Sequence, residues 1–164
     1  GSYLPSSANR LNLETGTGNL AAMRADIHFA FDTFENVANI QFNENTSFQT
    51  TGVDLKLAAY NNAGYNGVAT FPGTDQMAGT TAPTNDYESF IIYNSNSSSM
   101  STTPELGGSS NRLHTVIHEI GHAVGHGHPH DTGTGSNNIT GGSAFTYIGD
   151  NEIDNDRYTV MSYE

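Results

Sequence analysis

A chain of 164 residues suits one domain, and 35 % apolar residues with 8 Tyr and 8 Phe suffice for a modest core, which argues against a disordered chain. Five Lys+Arg against 17 Asp+Glu give a net charge of −12, which excludes the basic footprint of a nucleic-acid binder and attraction to an anionic membrane surface. With no cysteine, disulfides, thiol catalysis and Cys-based zinc sites are excluded as well.

Gly1 and Ser2 read as a cloning remnant, and residues 1–18 as turn-rich, with a short strand near 3–4 or 11–13. Leu20, Met23, Ile27, Phe31, Phe34 and Val37 then recur at steps of three and four. That period predicts a long helix from residue 19 to about 39, with Asn19 as its N-cap. Strands are predicted at 40–43, 53–59, 67–71 and 89–93. In the second of these Val53, Leu55 and Leu57 alternate with Asp54 and Lys56; the third is stopped by Pro72 and Gly73, and the fourth is an unbroken apolar run. Residues 94–110 are mostly Ser, Thr, Asn and Gly and read as a surface loop.

Leu113, Val116, Ile117, Ile120 and Val124 predict a second helix, capped by Ser109, Ser110 or Asn111 and ended by Gly125 and Gly127. Beyond Pro129 the chain is polar and Gly-rich to about 142. A short apolar patch at 145–148 and an acidic stretch at 150–156 lead into the C-terminal residues. There is no internal repeat and no interdomain linker, so residues 1–164 read as a single domain. No apolar run is long enough to span a membrane.

The chemistry lies in His118-Glu119-Ile120-Gly121-His122-Ala123-Val124-Gly125-His126-Gly127-His128. His118 and His122, four apart on a helix, project from one face a turn apart and can share a metal ion. Zn²⁺ is the expected ion, since it takes imidazole in a tetrahedral site; three protein ligands leave a fourth position open for catalysis. Gly125 permits a left-handed break that brings His128 back as the third ligand. Glu119 then sits beside the ion as a general base that takes a proton from water and passes it to the leaving amine. A His-rich metal-scavenging tract would explain five histidines between 118 and 130 but not Glu119, Gly125 or the apolar stripe.

This pattern resembles the zinc motif of the metzincins, and Val160-Met161-Ser162-Tyr163 resembles their Met-turn. His128-Pro129 and Met161-Ser162-Tyr163 are most similar to the serralysin form. The resemblance implies a role for Tyr163 as an extra zinc ligand and as a donor to the developing oxyanion, with Gly125 and Met161 structural at the site. It implies an α+β catalytic domain: a twisted mixed sheet of four to five strands on two long helices, with the zinc cleft at the edge strand. Residues 34–42 look like the end of the family's first helix and the strand after it. Ala69-Thr70-Phe71-Pro72-Gly73 resembles the edge strand along which these proteases hold an extended peptide.

There are two departures. His126 stands where an apolar residue is expected; His126 and His130 read as solvated rather than as a second metal contact. Serralysins usually continue into a calcium-binding β-roll, and no such repeat follows the Met-turn here, which leaves Ca²⁺ open as a cofactor. The expected function is hydrolysis of internal peptide bonds by a secreted, extracellular, bacterial zinc metalloendopeptidase acting as a monomer on protein or peptide substrates. The alternatives are a catalytically silent zinc-binding module for adhesion, and a zinc amidase on cell-wall substrates. The segment from 131 to 158 carries no pattern that translates into a side-chain preference.

Overall fold

The apolar stripe of the N-terminal half folds as predicted into helix α1, Asn19–Val37. Met23, Ile27 and Ala30 are buried, and Phe31 and Phe34 are partly buried against them. Each large side chain withdrawn from water contributes about 1.5–3 kcal/mol, which is how an amphipathic helix is held. Val37 is the exception: it falls on the stripe by period but is 82 % exposed at the last turn. The computed structural model describes residues 19–44, 55–60, 64–72, 89–94, 97, 100, 111–131, 144–146 and 148–163. The predicted strand near 3–4 or 11–13 and the Asn19 cap lie outside this description.

The strand expected at 40–43 does not form. Residues 40–44 fold back on α1 instead: Phe42 packs its ring on Phe31 with centroids 4.5 Å apart, and Glu44 pairs with Arg24 at 2.8 Å and with His28 at 3.1 Å. Side chains that reach the preceding helix take the place of a ladder partner.

Strands β1 (Leu55–Tyr60), β2 (Gly67–Ala69) and β3 (Ser89–Asn94) form a mixed sheet in the order β1-β3-β2. β1 runs parallel to β3 with Leu57 opposite Ile91, and β2 runs antiparallel to it with Ala69 also opposite Ile91. The central place of β3 accounts for its unbroken apolar run: Ile91, Ile92 and Tyr93 are all buried. Among the described residues the sheet has three strands rather than four or five. β2 is shorter than expected, because Thr70, Phe71 and Pro72 run on beyond the last ladder pair.

Helix α2, Asn111–Ala123, packs on α1, β2 and β3. Val116, Ile120 and Ala123 enter the core, with Ile117 and Val124 against it. Met100, in the stretch read as a surface loop, is also a core residue at 1 % exposure. A buried ion pair that hydropathy did not signal joins the helices: Arg112 Nε of α2 donates to Asp26 Oδ2 of α1, both side chains being almost fully enclosed.

The chain divides into two compact units, Gly1–Val124 and Gly125–Glu164. In the second, Asp150–Glu152 forms a single 3₁₀ turn. The chain then closes a turn in which Ser162 N–H donates to the Thr159 carbonyl at 3.2 Å and Met161 N–H to Thr159 Oγ1 at 3.1 Å. No described helix is long and apolar enough to cross a membrane.

Candidate metal centre

His118 and His122 lie one turn apart on α2, and both are buried. Their Nε2 atoms are 3.1 Å apart, with the rings nearly perpendicular at 87°. Two imidazole nitrogens bound at about 2.0–2.1 Å to one tetrahedral ion stand about 3.3 Å apart, so the observed spacing fits a shared Zn²⁺ to within a few tenths of an ångström. Phe71, just past β2, turns the edge of its ring to His122 with centroids 5.3 Å apart.

Glu119 is 7 % exposed on the same helix. Burial pushes its carboxyl up to about 7 from the usual 4.5, while a hydrogen bond from the Ala69 backbone pulls the other way. β2 passes so close that a Cβ on Gly67 would fall 2.7 Å from Glu119 Cγ. Behind them Tyr93 is fully enclosed; burial first, and the Glu119 charge second, push its phenol well above the usual range.

Helix α2 closes with Val124 N–H shared between the carbonyls of Ile120 and Gly121, at 3.0 and 3.3 Å. Gly125 then takes φ +103°, a left-handed conformation that L side chains rarely adopt, with nothing within 4 Å of where its Cβ would be. The glycine is there for its backbone, as the break after the helix requires.

In the second unit, both the backbone N–H of His128 and its ring Nδ1 lie against Asp131 Oδ2, at 3.0 and 2.9 Å. With Nδ1 donating to the carboxylate, Nε2 carries the lone pair that a cation needs. Burial alone would raise the Asp131 carboxyl, but the hydrogen bonds and charge of His128, with the charge of His130, hold it below its usual value. Tyr163 lies beside His128 with ring centroids 4.6 Å apart, and Met161 is buried.

His118 and His122 of the first unit and His128 of the second are the imidazole donors that the sequence predicts; within the second unit His128, His130 and Asp131 form a group of side chains that could hold a metal ion. Within the first unit, two imidazoles at zinc spacing with a buried carboxyl alongside are a donor set that fits Zn²⁺. His126 is exposed, in line with expectation. His130 is not solvated: its side chain is 8 % exposed and its Nδ1 is 2.9 Å from the wholly buried Asp154 Oδ2. Sequence reasoning read Ala69 and Phe71 as part of a substrate-binding edge strand but not their contacts with Glu119 and His122, which come from a strand distant in sequence. It missed Asp131, three residues after His128.

The matrixin family of peptidases matches residues 9–135. A serralysin of Proteus mirabilis is 33 % identical over 137 residues, covering 82 % of this chain. The chain spans about a quarter of that relative's length, 26 %. No solved structure matches significantly. The family is one of zinc metalloendopeptidases, and its fold is the α+β metzincin fold, with which the two helices and mixed sheet agree. The chain belongs to the matrixin family, with a metzincin catalytic domain of serralysin-like character.

Proposed function

We propose that this chain hydrolyses internal peptide bonds as a zinc metalloendopeptidase, with His118, His122 and His128 holding the ion and Glu119 as general base. The observation that carries this reading is the buried His118–His122 pair at zinc spacing, with the buried carboxyl of Glu119 next in sequence. The ion, when bound, would polarise a substrate carbonyl and acidify a water. Glu119 takes the proton of that water and returns it to the leaving amine, a relay that works best when the base titrates near the working pH. Tyr163 donates its phenol proton in a hydrogen bond to the developing oxyanion. β2, at the edge of the described sheet, offers its backbone to an extended peptide. The reading takes residues 1–164 as one catalytic domain, monomeric and secreted.

Glu119→Gln is the test. The variant should bind Zn²⁺ as the unmodified protein does, and lose cleavage of an unstructured protein such as casein by about 10²–10⁴-fold. A zinc-loaded unmodified protein that cleaves no protein or peptide library would show instead a silent zinc-binding module.

A further inference from the structure

Three aromatic rings gather at His128. His130 stacks on His128 with centroids 4.9 Å apart and planes within 7°. Tyr163 contacts both, at 4.6 Å from His128 and 5.6 Å from His130, and Phe145 stacks on Tyr163 at 4.6 Å and 10°. Asp131 fixes the His128 ring by its Nδ1 edge, but one hydrogen bond leaves a ring free to tilt about the bond. A parallel ring against its face removes that freedom.

His130 is itself anchored. Asp154 is 0 % exposed, and its Oδ2 lies 2.9 Å from His130 Nδ1. Its other oxygen, Oδ1, is buried with no hydrogen-bond partner. An enclosed carboxyl with an orphan oxygen is costly, because that atom has given up water without gaining a partner among the described residues. A fold optimised only for stability would place an apolar residue there. The arrangement holds the His130 ring in one orientation, parallel to His128.

We propose that His130, anchored by Asp154, is a positioning residue for the metal centre: its ring clamps His128 face-on and sets the direction of Nε2. The proposal rests on the reading of His128 as a zinc ligand. It assigns a role to a histidine outside the zinc motif and to an aspartate 24 residues further along the chain.

The test uses two double variants that leave no orphaned carboxylate. His130→Ala with Asp154→Leu removes the ring; His130→Phe with Asp154→Leu keeps a ring of similar shape with no buried charge to satisfy. Zinc affinity of the metal-free proteins is read by competition with a chelating dye, and thermal midpoints are recorded alongside. The ringless variant should bind Zn²⁺ about 10–100-fold more weakly than the unmodified protein, the usual range for loss of a group supporting a ligand, and the Phe variant should recover to within about threefold. Equal zinc affinity of the two double variants, at any level, overturns the clamp. Failure of the unmodified protein to bind zinc overturns the ligand assignment instead, before any variant is compared.

Discussion

The Ala69 backbone, at the end of β2, is hydrogen-bonded to the carboxylate of Glu119 on α2. The edge strand of the described sheet and the buried carboxyl of α2 are thereby tied together. The bond favours the charged form of a carboxyl that burial would otherwise keep protonated, and burial wins.

A pH dependence of the metal-free protein follows from that balance. The folded-state value of about 7 lies above the usual 4.5, so between these two pH values the folded state binds more protons at Glu119 than the unfolded chain does. The contribution of Glu119 to stability is full below about 4.5 and is lost as pH rises through 7, by at most about 3 kcal/mol. Urea unfolding of metal-free protein at pH 5 and pH 8 should show that loss relative to Glu119→Gln, whose amide does not titrate. Parallel pH dependence of the two proteins would refute it.

Gly125→Ala isolates backbone strain from packing. With φ at +103° and open space around the missing Cβ, the cost is conformational, about 1–2 kcal/mol. The unfolding midpoint should drop accordingly. Zinc affinity should fall too, because relaxing the turn moves the His128 backbone. A variant as stable and as tight-binding as the unmodified protein would show that the left-handed turn is dispensable.

Asp26→Ala leaves the Arg112 guanidinium enclosed without its carboxylate partner. Breaking a buried pair on one side costs about 3–5 kcal/mol. Replacing both by Leu and Met should recover most of that loss. Chemical denaturation of the single and double variants measures both, and a single variant within about 1 kcal/mol of the unmodified protein would contradict enclosure of this pair.

Tyr163→Phe keeps the rings beside His128 and Phe145 but removes the hydroxyl. If the phenol serves the oxyanion, kcat should fall by about 10–10³-fold while KM and zinc content hold. Unchanged kcat would limit Tyr163 to packing.

Much of the site was legible in the sequence because its geometry is local. Four residues make slightly more than one helical turn, so His118 and His122 had to share a face wherever a helix formed, and the stripe through Val116 and Ile120 ensured that it formed there. Gly125 was legible because only glycine reaches φ +103° cheaply. The same locality explains the error at 40–43: an apolar-polar alternation shows that a segment can pair, not that a partner is in reach, and Phe31 and Arg24 offered Phe42 and Glu44 nearer partners.

What the sequence by itself determined was the local pattern: two imidazoles four apart on one helix face, a carboxyl beside the first and a glycine that ends the helix. What only the tertiary structure decided was the surroundings of each donor. Burial against β2 sets the proton affinity of Glu119, the closed second unit turns His130 from a solvated residue into a ring anchored on Asp154, and Arg112 finds Asp26 across 86 residues of chain. The physical reason is range. Side-chain directions along a helix repeat about every turn and can be read from spacing, whereas desolvation and burial depend on atoms brought close in space from residues far apart along the chain.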